Sequence, residues 1–330
     1  MHTFILPSTF TLVPYRLTLE ALEPLHLPPF KGSALRGGFG YVFKRLVCFQ
    51  PKPCRKRCKL GNACPYGYIF ETAPPEGSEA LSKNASIPRP FVIEPPDDPR
   101  TLILPGERLT FGLTLIGRAN NYLPYFIAVF RELGQEGLGR TRGKYRLLAI
   151  DAMAPDDGVV APVYREQDER VQKVDIIVNE QIIAALAAGL PIDRMRLRFL
   201  TPTRLKHQGK PVQRPPFHVL VRRLLDRVSS LSYFHCGQRW ETDFRGLVER
   251  AKTVELAECD TRWMHVERYS GRQKARLSLG GFVGNVVYTG DLAPFLPLLC
   301  LGSLVHVGKS AVFGNGRYQI ERGDRDREGR

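Results

Sequence analysis

No stretch of about 18 uncharged apolar residues occurs anywhere in the 330-residue chain, so no segment has the composition of a membrane-crossing helix. Met1–Phe10 has neither a basic leading segment nor a small-residue cleavage site, and the expected location is the cytoplasm. Acidic residues are scarce: 33 Asp and Glu face 48 Lys and Arg, a formal charge of +15 that calls for a strongly positive face and a polyanionic partner. Cysteine is present in an odd number, seven, and without an export signal this disfavours a disulfide framework. Also missing is the spacing of a nucleotide-triphosphate loop. Gly308-Lys309-Ser310 would need a glycine at 303, where Ser303 stands, and the segment leads from a helix into a strand rather than the reverse. ATP binding is excluded on that ground.

What is present is ordinary globular material, 43% hydrophobic and 25% charged, in a chain long enough for two domains. Period-two alternation marks strands at 15–22, 108–116, 145–150, 195–200, 281–288 and 317–320, and 268–277 reads as a further strand with Arg272, Lys274 and Arg276 on one face. Helices are expected over 33–47, 124–133, 180–189, 217–231 and 294–304, with 71–99 as a long connection and 154–175 holding short strands. In the helix at 217–231, Arg222, Arg223 and Arg227 fall off the apolar stripe, where a solvated face and an RNA contact are the two readings.

The order strand, helix, glycine-rich loop, strand occurs twice. Gly134, Gly137, Gly139 and Gly143 precede the strand at 145, and Gly308, Gly314 and Gly316 precede the strand at 317. The stretches RTRGKYRLLAI and FGNGRYQI each set glycine, a cation and tyrosine at the strand entrance, so the chain reads as two related βαββαβ units. Glycines let the backbone turn through positive φ and approach a polyanion, and Lys309 and Arg317 add charge to the second loop; nucleic acid is the expected ligand.

Cys48, Cys54, Cys58 and Cys64 lie within one short, lysine- and arginine-rich stretch. They are candidate ligands for a structural zinc, with an iron–sulfur cluster or free thiols as alternatives. Arg268 and Arg272 are the preferred phosphate contacts near the 268–277 strand, beside Lys274, Arg276 and a stacking Tyr269, against the plain reading of a solvated strand edge. Of the histidines, only His306 neighbours the second glycine-rich loop.

The segments LRGGFGYVFKRLVC, CPYGYIFET, RPFVIEPP, FLTPTRLK, RYSGRQ and HVGKSAVFGNGRYQI together resemble the CRISPR-associated precursor-RNA processing endoribonucleases of the repeat-associated mysterious protein (RAMP) superfamily. The resemblance implies an α+β chain of two tandem ferredoxin-like, RRM-like domains. The first would span 1–155 with a Cys-rich insertion at 48–70 and the second 156–320 with the glycine-rich loop at 308–316; the final residues 321–330, nearly all charged or glycine, are expected to be disordered on composition. It implies metal-independent cleavage within CRISPR repeat RNA: a base takes the 2′-hydroxyl proton, the oxygen attacks the adjacent phosphorus, and the products are a 2′,3′-cyclic phosphate and a 5′-hydroxyl. Histidine suits such proton transfer because its ordinary pKa is about 6.5. His306 with Lys309 are the leading candidates, with His26 and Tyr269 beside them; Gly308, Gly314, Gly316, Arg317, Arg204 and Lys206 join the RNA-contact set. No catalytic cofactor is expected, other CRISPR effector subunits are candidate partners, and a non-catalytic RNA-holding subunit is the alternative.

Overall fold

Tyr15, Leu17 and Leu19 alternate with Arg16, Thr18 and Glu20, and the strand they form, β1 (Leu12–Ala21), buries the apolar set. The computed structural model describes residues 6–48, 58, 60–72, 74, 87–168, 170–172, 174, 178–270 and 275–321. Two compact units emerge, Thr11–Ile177 with Phe234–Gly237, and Met1–Phe10 with Val178–Tyr233 and Gln238–Arg330.

In the first unit the elements run β1, β2 (Leu25–His26), α1 (Gly32–Val47), α2 (Pro65–Ile69), β3 (Phe91–Glu94), β4 (Leu102–Ile103), β5 (Arg108–Ile116), α3 (Leu123–Glu136), β6 (Tyr145–Met153) and β7 (Val159–Arg165). The main sheet has the order β3-β5-β1-β6-β7, antiparallel throughout. Without β7 this is the ferredoxin-like βαββαβ arrangement, with α1 and α3 as its two helices. They pack through Phe39, whose ring stacks on Phe126 at 4.6 Å and meets Phe130 at 5.5 Å. The segment 71–99, expected to be a connection, contributes the edge strand β3, and the domain boundary moves from 155 to 177 because β7 pairs with β6.

The buried charge at the start of α1 is Lys31, fully enclosed, whose ammonium donates to the backbone carbonyls of Arg100 at 2.8 Å and of Asp98. Burial pushes its pKa down and the Asp98 carboxylate opposes that. Lys31→Met would leave these carbonyls without their donor. A stability loss of about 2–3 kcal/mol is expected, read as a lower urea midpoint with unchanged slope.

The second unit runs α4 (Glu180–Ala188), β8 (Arg194–Thr203), β9 (Leu205–His207), β10 (Lys210–Val212), α5 (Phe217–Leu231), α6 (Phe244–Ala251), β11 (Glu255–Met264), β12 (Glu267–Ser270), β13 (Ala275–Ser278), β14 (Gly281–Thr289), α7 (Leu296–Val305) and β15 (Tyr318–Glu321). Its sheet order, β11-β14-β8-β15, repeats the ferredoxin-like connectivity of the first unit. The internal duplication read from element order is therefore present as topology. The stretch 268–277 departs from expectation: it divides into the antiparallel pair β12–β13, with Tyr269 opposite Arg276. Arg227 also departs from the solvated-face reading, since its guanidinium is buried and Nε donates to the Val305 carbonyl at the end of α7, at 2.8 Å. Burial lowers its pKa to about 10, while its charge complements the carbonyl end of that helix.

Candidate active site

The C-terminal glycine-rich loop is an internally fastened structure. Gly316 has φ +77°, and a Cβ there would stand 1.8 Å from the Val307 carbonyl oxygen, so glycine is demanded by the protein's own backbone. The Thr201 hydroxyl donates to the Gly314 carbonyl at 2.7 Å and accepts from the Arg317 amide at 2.9 Å. Asn315, buried, donates through Nδ2 to the carbonyls of Pro202 at 3.0 Å and Leu279 at 2.7 Å.

His306 is part of this fastening. It is 0% exposed, has φ +62°, and its Nδ1–H donates to the Asn315 carbonyl at 3.2 Å. A ring so enclosed cannot touch a phosphodiester, and the leading catalytic candidate of the sequence is placed as a support of the loop. Gly314 and Gly316 are buried as well, which removes them from direct RNA contact; the surface of this loop is Gly308, Lys309 and Ser310.

The other expected RNA contacts are spread around the loop. Arg268 lies over the Phe313 ring, 4.8 Å from its centroid, and burial lowers its pKa. Arg204 is engaged structurally, donating to the Gly280 carbonyl at 2.9 Å and the Ser278 hydroxyl at 2.7 Å. Lys206 and Arg276 are exposed, Arg276 within 3.7 Å of Glu267, and Arg317 is half-buried. Arg272, Lys274 and the tail at 322–330 lie outside the described residues, as does the side chain of Tyr269.

His26 has a different setting. Strand β2 places it opposite Leu102 of β4, and Leu27 N–H donates to the Thr101 carbonyl at 2.8 Å, fixing the backbone on both sides of the ring. The loop between α3 and β6 closes over it: Leu138 and Gly143 form an antiparallel bridge, and Arg140 N–H donates to the His26 carbonyl at 3.0 Å. Gly139, at φ +85°, comes so close that a Cβ would stand 2.4 Å from that same carbonyl. The imidazole is half-exposed, with Nδ1 3.0 Å from the Thr141 hydroxyl.

Arg140, Thr141, Arg142 and Lys144 are all exposed on this loop. Lys144 is partly neutralised by Glu23, at 4.0 Å, whereas Arg140 and Arg142 form no ion pair among the described residues. A titratable ring and two guanidiniums thus share one surface segment, a proton acceptor beside charges suited to a phosphate. Sequence reading singled out His26 but passed over Arg140, Thr141 and Arg142. The signal was there, in the RTRGKYRLLAI stretch that mirrors the C-terminal loop.

Of the four expected metal ligands, Cys48, Cys58 and Cys64 are half-exposed and Cys54 lies outside the described residues. Among the described residues no three Cys, His, Asp or Glu side chains are grouped to hold a metal ion, so the three thiols do not by themselves fit a zinc site. No helix of the described residues is long and apolar enough to cross a membrane.

Two ferredoxin-like units in one chain, the second closed by a glycine-rich loop, define the fold class. A family model of an N-terminal domain (AF_1859_N) matches residues 10–176, and the model of the CRISPR-associated endoribonuclease Cas6 matches residues 197–318. The chain belongs to the family of the AF_1859_N domain, and its residues 197–318 match the Cas6 family. An uncharacterized protein from Archaeoglobus fulgidus is 29% identical over 327 residues, covering 94% of this chain and 99% of its relative. Among solved structures, a Cas6 product complex superposes with a TM-score of 0.56 at 17% identity, covering 94% of this chain and 99% of the other. Cas6 from Thermus thermophilus gives 0.53 at 16% identity, with coverage of 94% and 99%. A partial Cas6-RT-Cas1–Cas2 complex gives 0.57 at 15% identity, covering 97% of this chain and 47% of that one. At these identities the structural likeness shows the fold. The Cas6-family match of residues 197–318 supports CRISPR RNA processing or binding.

Proposed function

We propose that the protein is a metal-independent endoribonuclease that cleaves CRISPR precursor RNA within its repeats, with His26 as general base. The observation that carries this reading is the half-exposed His26 ring, clamped by a loop that also exposes Arg140 and Arg142, in a Cas6-like chain whose other loop-associated histidine is enclosed. His26 takes the proton from a ribose 2′-hydroxyl, and that oxygen attacks the adjacent phosphorus in line. The bond to the 5′-oxygen breaks, and the departing oxygen is protonated to a 5′-hydroxyl, leaving a 2′,3′-cyclic phosphate. Charge on the phosphoryl oxygens rises along this path, where the guanidiniums of Arg140 and Arg142 act. Lys309 is an electrostatic contact on the second unit.

Arg140→Ala and Arg142→Ala test the charge assignment. Each is expected to weaken binding of repeat RNA and to reduce the slope of log K against log salt by about 1, measured by salt-titrated binding. An unchanged slope in both would remove the loop from the interface. The whole reading is tested by incubating the protein with the host's repeat RNA in EDTA: specific cleavage supports it, and tight binding without cleavage identifies a non-catalytic RNA-holding subunit instead. Partnership with other CRISPR proteins is proposed by analogy with the Cas6-RT-Cas1–Cas2 assembly. A structural zinc on Cys48, Cys54, Cys58 and Cys64 remains a proposal that metal analysis of the purified protein decides, stoichiometric zinc supporting it and none removing it.

A further inference from the structure

We propose that Thr141 is a positioning residue for His26. Its hydroxyl holds the imidazole in the tautomer with hydrogen on Nδ1, leaving the lone pair of Nε2 as the base. The inference rests on His26 as the general base and names what sets that base's protonation pattern. The contact itself is direct, Nδ1 to Oγ1 at 3.0 Å. A neutral imidazole carries one N–H, and the hydrogen bond made by one nitrogen decides which nitrogen keeps the lone pair.

A hydroxyl can donate or accept, so the choice follows from the reaction. When Nε2 takes a proton, both ring nitrogens become donors. If Nδ1–H already donates to Oγ1, the bond keeps its donor and acceptor through proton transfer and strengthens as the ring gains charge. If the hydroxyl donated to Nδ1 instead, that lone pair would remain as the base, already occupied, while Nε2–H faced the substrate. Only the first arrangement needs no reorganisation at the reacting centre.

The backbone gives the contact its permanence. Arg140 N–H donates to the His26 carbonyl, Gly139 packs against that carbonyl, and the Leu138–Gly143 bridge closes the loop on either side of Thr141. Hydroxyl and ring are therefore held in register through two neighbouring backbone segments, and this explains the loop's need for glycine without reference to RNA. The C-terminal loop shows the same hand: His306 Nδ1–H donates to the Asn315 carbonyl, an acceptor that admits no other tautomer.

The test uses the full chain with 15N-labelled histidine, observing ring nitrogens by long-range proton–nitrogen correlation, with His26 assigned through His26→Ala. The parent is expected to show a protonated Nδ1 and an unprotonated Nε2 at neutral His26. Thr141→Val keeps the branched shape without the hydroxyl and should move the pattern toward protonated Nε2, whereas Thr141→Ser should restore the parent pattern. In cleavage, the valine variant should lose about tenfold in kcat with KM unchanged, serine should recover it, and valine should add nothing in a His26→Ala background. A parent ring protonated on Nε2, a valine variant with the parent's pattern, or a further loss in the His26→Ala background would each overturn the proposal. A parent that cleaves no RNA would defeat the general-base reading alone, because the ring spectrum still decides whether Thr141 sets the tautomer.

Discussion

His26→Ala is expected to slow cleavage of repeat RNA by about 10²–10⁴-fold, the usual worth of a positioned general base, while leaving RNA affinity within a few-fold. The two outcomes separate because alanine removes proton transfer and leaves Arg140, Arg142 and Lys309 to attract phosphate. The loop should survive the change, since it is fastened to the backbone of residue 26: Arg140 N–H reaches the carbonyl and Leu27 N–H reaches Thr101, and neither bond involves the ring. Single-turnover rates with saturating RNA, compared with binding measured separately, make the distinction. A variant that cleaves at the parent rate would remove His26 from the chemistry. The companion change His306→Ala should act through stability, lowering the urea midpoint of the second unit, because the ring is enclosed and bonded to Asn315.

Gly316→Ala should be among the most destabilising single substitutions in the protein. At φ +77° an L-residue carries about 1–2 kcal/mol of strain, and its Cβ would stand 1.8 Å from the Val307 carbonyl oxygen, 2.8 Å from the carbonyl carbon and 2.9 Å from the Val307 nitrogen. All three are backbone atoms, so no side chain can swing away. The backbone must shift, which breaks the Val307–Gly316 and Gly316–Pro202 hydrogen bonds that close the loop. A total loss above about 4 kcal/mol is expected, enough to melt the second unit or to prevent its folding. Urea or thermal unfolding checks it, and a midpoint near that of the parent would mean the loop tolerates rearrangement that its packing denies. The same substitution at Gly308 should be milder, because Gly308 sits at the exposed end of the loop, with a Cβ 2.7 Å from the Arg204 carbonyl.

Much of the fold was legible because the period of apolar residues is strong where an element has one wet and one dry face. The alternation at 15–22 and at 195–200, and the stripe from Phe217 to Leu231, all fall on observed elements, β1, β8 and α5. Strand β3 was hidden because Phe91, Val92 and Ile93 are a short continuous apolar run, buried on both sides, inside a proline-rich stretch. β11 was hidden for the opposite reason: its residues are half-exposed or exposed along its length, so no face stands out.

The site was less legible than the fold. Glycine spacing identified both loops, yet it cannot tell a glycine required by a phosphate from one required by a neighbouring carbonyl. At Gly139 and Gly316 the carbonyls of His26 and Val307 supply the reason. Sequence proximity to a cationic loop favoured His306 over His26, whereas the His306 ring is enclosed and the His26 ring half-exposed. Proximity along the chain says nothing of exposure, and the loop that serves His26 lies more than a hundred residues away from it, reached only through the pairing of β1 with β6.

Central to this account is ribose-driven strand scission by a protein base without a metal ion. The direct measurement is cleavage of the host's repeat RNA in EDTA, using one RNA with its natural ribose and one with a single 2′-deoxy nucleotide on the 5′ side of the mapped scissile phosphate. The account predicts that the natural RNA is cut to a 2′,3′-cyclic phosphate and a 5′-hydroxyl while the deoxy RNA is bound and left intact. Cleavage of the deoxy RNA at the same phosphate, or arrest of the natural reaction by EDTA, would contradict it.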